Sequence, residues 1–358
     1  MSDERYLGFH FTDTCIYVAE AHTGQGDHLC WDLMKQEGNE LEPKWRPLFR
    51  EAVPNLYDNA DGVYGITAFS SACRDFNRER YLRFDLHFFE KLVKRRMTYR
   101  DRRKLSGLFR HFRLLHIQPQ PGETLVTTVV IEGLNAQQRR ILRMLLERIT
   151  AGLGLEFIDV IEPEEASLRY LWYEDARLDL NVEDSLVLLV HLGYARTLML
   201  LWDHCQTVES SAQTLGMQAV DWHVAARVER MEKAIRGNGL PLYTQRARRA
   251  FELSEPDQAS LKIADVDVEN SLYRKIVREP ASDIASRLEV FARSADQQNQ
   301  VDEILLTGEG AAFPLIRKAI EELSWDAPMR VLPHPSHAAA RGAASKSWRA
   351  KNLNSEIR

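Results

Sequence analysis

Cysteine is scarce in this chain. There are four in 358 residues, Cys15, Cys30, Cys73 and Cys205, and no two stand at metal-ligand spacing. That excludes a disulfide framework and a cysteine-built zinc site, and it suits a reducing compartment. Long apolar runs are missing as well. The most apolar stretch, 186–202, is interrupted by His191 and Arg196, so it reads as buried strands and not as a membrane span. The N-terminus is polar, without the apolar core of a secretory leader. No low-complexity segment occurs, and a net charge of -5 gives no global attraction to nucleic acid. The expectation is a cytoplasmic protein with no membrane and no nucleic-acid partner.

What is present is ample material for folding. Hydrophobic residues make up 44% of the chain, and its length allows two or three domains. Alternation over 6–20 predicts a strand hairpin, and 53–67 repeats it with Asp61-Gly62 at the turn. Residues 78–116 read as helical and carry ten Lys or Arg between Lys91 and Arg113 against Asp101 alone. Apolar residues such as Leu92, Leu105, Phe109 and Phe112 can form an opposite face, which favours a solvated amphipathic helix over a nucleic-acid patch. A β-branched strand at 124–132 precedes Asn135, a helix cap with Gln138 as its capping-box partner. Strands follow at 155–161 and, as a hairpin, at 186–202. Helices are expected at about 217–237, 243–253 and 280–300, and a polar, basic tail after 345.

Near the C-terminus, Ile304, Leu305 and Leu306 form a buried-strand run. Gly308 and Gly310 then permit a tight turn, Pro314 suits a first helical turn, and Leu315, Ile316, Ala319, Ile320 and Leu323 supply a helical face. Phe313 rules out the dinucleotide fingerprint, which needs a small residue there. This strand, glycine turn and helix, together with Pro335-Ser-His-Ala-Ala-Ala-Arg-Gly-Ala-Ala344, resembles the adenosine-binding end of the actin-fold ATPases. The closest likeness is to the seventy-kilodalton heat-shock chaperones. Four more segments fall in the family's order: 7–19, 53–62, Glu162-Pro-Glu-Glu-Ala166 and Leu188-Leu-Val-His-Leu-Gly193.

The resemblance implies a two-lobed α/β fold of the actin/hexokinase type, with duplicated ribonuclease-H-like domains. Lobe I would span 1–184. Lobe II would span 185–344, with a small helical subdomain at about 217–280, and 345–358 would be a tail or a helix returning toward lobe I. The chain ends at Arg358 without room for the family's peptide-binding domain.

The phosphate motifs depart from the family. In the first hairpin its magnesium-side Asp corresponds to His10, its turn Gly to Thr12 and the following Thr to Asp13. In the second hairpin the acid is His191, and Gly193 is the single glycine kept, followed by Tyr194, Ala195 and Arg196. Gly216 is kept, but Met217 stands where a phosphate-contacting glycine belongs. The family's lysine falls among Arg83, Asp85 and His87. Glu162 matches its corner acid, and Arg249 its base-facing arginine. Gly308, Gly310, Arg249, Gly193 and Gly216 thus outline a vestigial nucleotide site that allows weak nucleoside or nucleotide binding, with no cofactor expected. Two lost carboxylates and a filled turn argue against Mg-ATP hydrolysis.

Two functions fit. One is a binding protein that uses its lobes or cleft on a protein partner or small organic ligand, the histidines having drifted. The other is an enzyme of the cyclase, isomerase or lyase type. There His10 and His191 would be acid-base groups, Glu162 an orienting carboxylate and Arg196 an anion stabiliser. Two histidines and a carboxylate also suit zinc or iron, although no metal is expected. An atypical ATPase is the remaining reading. His334 and His337 flank Pro335-Ser336 in a loop and have the spacing of a site, although loop histidines are commonly exposed.

Overall fold

The computed structural model describes residues 4–23, 29–33, 52–74, 80–94, 96–178, 185–203, 206–231, 244, 247, 248, 251, 260–263, 266–299, 301–323 and 327–356. Among them two mixed sheets are built to one plan. The first comprises β1 (Glu4–Phe11), β2 (Cys15–Thr23), β3 (Leu29–Leu33) and β4 (Ala52–Pro54), followed later in the chain by β8 (Thr124–Ile131) and β9 (Leu155–Ile161). Its order is β3-β2-β1-β8-β9, with β4 pairing to β2. The second comprises β10 (Leu186–Leu192), β11 (Thr197–Asp203), β12 (Gln206–Gln213), β15 (Glu303–Thr307) and β16 (Met329–Val331), in the order β12-β11-β10-β15-β16. In each, the first three strands form an antiparallel meander and the last two run parallel to the first.

Pleating decides what each face of the first sheet meets. Leu7, Phe9 and Phe11 point to one side of β1. There they join α2 (Leu86–Val93), α3 (Tyr99–Phe112) and α4 (Ala136–Ile149) in a core that includes Phe89, Leu105, Phe109, Phe112 and Leu146. Gly8 and His10 point to the other side, toward α10 (Ala338–Glu356). A Cβ on Gly8 would lie 1.9 Å from the Ala340 carbonyl oxygen, so this helix packs directly on the strand backbone. Ala339 and Ala343 of α10 meet Val130, Ile161 and Ala166, the last from α5 (Pro163–Leu178). Small residues in this face allow two helices and a sheet to approach at backbone distance.

The second sheet is covered in the same manner. Leu188, Val190 and Leu192 join the core formed with α6 (Met217–Met231), α7 (Asn270–Asn299) and α9 (Pro314–Glu321). Val187 and Leu189 pack with Tyr170, Leu332 and Ala338 on the opposite face. A short hairpin, β5 (Tyr57–Asp58) and β6 (Val63–Tyr64), pairs with β7 (Tyr81–Leu82), and α1 (Ile66–Arg74) lies beside it. Another hairpin, β13 (Ser260–Ile263) and β14 (Val266–Glu269), precedes α7, and α8 (Glu309–Ala312) is a single turn between β15 and α9.

Two expectations need correction. The segment 78–116 is not one helix: Tyr81–Leu82 is a strand, and a new helix starts at Thr98. Thr98 Oγ1 accepts from the Asp101 N–H while the Asp101 carboxylate accepts from the Thr98 N–H, a reciprocal cap that forces the break. The helix expected from 280 begins at Asn270 and runs through Pro280. Burial of Tyr273, Ile276, Val277, Ala281, Ile284 and Leu288 along one side outweighs the roughly 3 kcal/mol that an internal proline costs. The β13-β14 hairpin also falls within 217–280.

Candidate functional site

His10 and His191 occupy equivalent places in the two sheets, each one residue before the end of its central strand. Each lies on the pleat face turned toward α10. The two strands therefore deliver both imidazoles to one point, with ring centroids 5.8 Å apart in an edge-on arrangement. Both residues are 3% exposed, and neither Nδ1 has a hydrogen-bond partner among the described residues. Tyr17 lies 6.0 Å from the His10 ring, and beyond it His337 meets the Tyr17 ring edge-on at 4.8 Å. His337 is buried, contrary to the expectation of an exposed loop, because the turn at Pro335–His337 packs against β2, β15 and α8.

The histidines line a cavity with Phe11, Thr12, Asp13, Leu86, Ile131, Glu132, Gly193, Tyr194, Ala195 and Arg196. Its volume is about 100 Å³, room for a few waters or a small polar molecule. Arg196 reaches Glu132 at 3.5 Å, an ion pair between the turn after β10 and the end of β8. The sequence-expected carboxylate, Glu162, does not line this cavity. One oxygen accepts from the Gly133 N–H at 3.1 Å and the other is gripped by Arg139. Glu132 and Asp13 hold the position that Glu162 was expected to fill. Glu132 directly follows the β-branched strand β8, which places an acid at a strand end in the sequence itself.

Burial sets the protonation of the site. It holds His10 well below the ordinary histidine value, helped by neighbouring His191 and His337, and brings His191 to about 4 against the pull of Glu309. Burial also raises the carboxyl groups. Asp13 moves to about 6, with Asp85 adding repulsion and Arg83 opposing it, and Glu132 moves to about 7 despite Arg196. Glu164, on the same acidic edge, moves to about 7, and Glu162 is raised less because Gly133 and Arg139 stabilise its anion. The Tyr194 hydroxyl is pushed up by burial. Arg83 is the cation that both Asp13 and Tyr194 feel, which singles it out from Asp85, the cap of α2, and from His87. At neutral pH the cavity thus presents two neutral imidazoles beside carboxyl groups able to gain or lose a proton.

Next to this cavity the two halves are joined by a polar bridge. Thr12 and Thr14, in the first hairpin turn, donate to Glu309 Oε1 at 2.9 and 2.5 Å. Glu309 Oε2 lies 3.7 Å from Arg248, and Arg248 is bound to Asp221 at 3.1 Å. All except Thr12 are 5% exposed or less. Asn55 fixes the turn from behind, donating to the Thr12 and Phe84 carbonyls at 2.6 and 3.0 Å. Glu309 and Arg248 were missed in the sequence because each adjoins a residue that matched the family pattern. Arg249 itself lies outside the described residues, as does Cys205.

The glycines outlined as a nucleotide site face protein. A Cβ on Gly216 would lie 2.4 Å from the Tyr194 carbonyl oxygen, and one on Gly308, at φ +89, would lie 2.6 Å from that of Leu192. Gly193 abuts the Arg196 carbonyl, and Gly310 abuts Leu192 and Met217. The first amides of α6, a natural anion-binding position, are already occupied: Met217 N–H donates to Gly193 at 3.1 Å and Gln218 N–H to Tyr194 at 2.8 Å. Among the described residues no group of three His, Cys, Asp or Glu side chains is placed to hold a metal ion, and no helix is long and apolar enough to cross a membrane. No protein-family model and no curated protein matches this chain.

Proposed function

We propose that this protein is a duplicated, two-lobed α/β protein of the actin type, similar to the ATPase domain of the heat-shock chaperones, whose nucleotide site has been closed by its own side chains. It acts by binding, not by ATP hydrolysis. The duplication is supported by two sheets of identical strand order and sense, with His10 and His191 at matching strand ends.

One observation carries the loss of ATP chemistry. Thr12 and Thr14, in the hairpin that would meet phosphates in that family, are bound to Glu309. A triphosphate entering there would have to displace a buried carboxylate and its hydrogen bonds, and it would bring negative charge against Glu309, Asp13 and Glu132. Calorimetric titration with Mg-ATP, Mg-ADP and adenosine, beside a heat-shock ATPase domain as control, tests this. Heat with the control and none with Mg-ATP here is the expected result. Tight Mg-ATP binding would overturn the reading.

The unpartnered Nδ1 atoms of His10 and His191 favour a second use of the cleft, as a site for a small polar molecule and acid-base chemistry on it. A thermal-shift screen of small metabolites would find ligands that stabilise the protein but not a His10→Ala/His191→Ala variant. Equal shifts in both proteins would remove the cleft from consideration.

A further inference from the structure

The basic segment expected to be an ordinary solvated helix face has a more particular construction. Lys91 to Arg113 holds ten Lys or Arg and one acid, a local excess of nine positive charges on a chain of net charge -5. The lysines are partly neutralised by their own helices: Lys94 pairs with Glu90 at 3.1 Å and Lys104 with Asp101 at 3.3 Å. The outward arginines are not. Arg96, Arg100, Arg103 and Arg110 are exposed and form no ion pair among the described residues. Arg103 lies over the Tyr99 ring, 6.0 Å from its centroid.

Apolar side chains frame these arginines. Tyr99 is 76% exposed at the start of α3, and Leu114 and Leu115 are 59% and 60% exposed in the π-helical turn that continues it. Tyr99, Arg103 and Arg110 share one stripe at helical spacing, and Leu114 extends it four residues further. The opposite side of α3, carrying Leu105, Leu108, Phe109 and Phe112, is sunk in the core. The stripe is therefore rigidly held and about 22 Å long at 1.5 Å per residue.

We propose that this face of α3 is a docking surface for an acidic, amphipathic segment of a partner protein. Unpaired guanidinium groups match carboxylates by paired N–H donation, and exposed apolar residues at both ends supply contacts that a purely ionic surface lacks. An acidic helix of three to four turns spans the stripe. A lipid surface suits it less well, because the apolar residues are separated by arginines and form no continuous wedge. Nucleic acid suits it less well because Tyr99 is the single exposed aromatic ring on this face among the described residues, too few for a stacking platform. The proposal deepens the binding-protein reading, and its test involves no nucleotide, so its failure would leave the test of the closed nucleotide site standing.

The experiment is fluorescence anisotropy with a labelled synthetic peptide of about eighteen residues, long enough to cover the stripe. Glutamates line one face of the peptide and leucines stand at both ends. The full chain is compared with an Arg100→Glu/Arg103→Glu/Arg110→Glu variant and a Leu114→Ser/Leu115→Ser variant. A glutamine version of the peptide, phosphatidylserine vesicles and duplex DNA serve as competitors. Expected are saturable, salt-sensitive binding, a loss of more than about tenfold on charge reversal and a smaller loss on leucine removal, with unchanged melting temperatures. No peptide binding, equal binding by the variants, or stronger binding to vesicles or DNA than to the acidic peptide would overturn the proposal.

Discussion

Arg248 and Asp221 are each 1% exposed, and together with Glu309 they make the densest buried charge in the described part of the molecule. Such a set is sensitive to losing one member, because the remaining charge stays in a dry environment. Arg248→Met is expected to cost about 3–5 kcal/mol by chemical denaturation, and adding Asp221→Leu should recover part of the loss. A mild single variant would show that water reaches the pair. The histidines make a second residue-scale prediction, through pH. His10 and His191 stay neutral in the folded protein below their ordinary 6.5, His191 to about 4. In that window the unfolded chain binds protons that the folded one refuses, so stability falls as pH drops from 6.5 toward 4. Glu132 and Glu164 at about 7 and Asp13 at about 6 act oppositely: the folded state holds their protons, and the stability they add is lost progressively as pH rises from their ordinary 4.5 and 3.8 to those values. The two sets offset each other in wild type. Replacing Glu132 and Glu164 by Gln should expose the histidine slope, up to about 1.4 kcal/mol per pH unit for each histidine. Melting curves from pH 4.5 to 6.5 would measure it. An unchanged slope would mean that the histidines are not held neutral.

At the scale of elements, α10 depends on residues too small to notice. A Cβ on Gly342 would lie 1.6 Å from the Ala166 carbonyl oxygen of α5, so Gly342→Ala must push two helices apart. A loss of about 2–4 kcal/mol in urea unfolding is expected, and Gly342→Val should prevent folding. Tolerance of Ala within a few tenths would mean that α10 sits further from α5. This helix also marks where the sequence stopped being legible. The strands at 124–132 and 155–161, the Asn135 cap and the hairpins were readable because periodicity and caps are local properties. The segment after 345 read as a polar tail or a helix returning toward the first half, because its polar, basic composition carries little hydrophobic signal. Ser347 is buried all the same, its hydroxyl bonding the Leu7 carbonyl at 3.0 Å and Thr128 at 2.8 Å. The site was legible in part for a related reason. The order of the family's motifs pointed to His10 and His191, whereas Glu309, Arg248 and His337 are brought in by long-range packing that leaves no local pattern.

For the molecule as a whole, α10 follows the last strand of the second sheet but packs on β1, β2, β8 and α5 of the first. The polar bridge from Thr12 and Thr14 to Glu309 crosses in the other direction. Neither half therefore completes its core with its own segment of chain, although two separate sheets would ordinarily permit two unfolding steps. Removing 338–356 uncovers Gly8, Tyr17, Ala19 and Val130 on the open face of the first sheet, so the loss should not be confined to one end. Hydrogen exchange followed by mass spectrometry in increasing urea can separate the alternatives. Peptides from β1 and β8 are expected to open with the same urea dependence as peptides from β10 and β15 in the full chain. In the protein lacking 338–356, the first-sheet peptides should exchange at once while those of the second keep some protection. If the full chain opens one sheet well before the other, α10 and the Glu309 bridge do not couple the halves. The cleft histidines would then lie between two independently stable units, free to separate around a ligand.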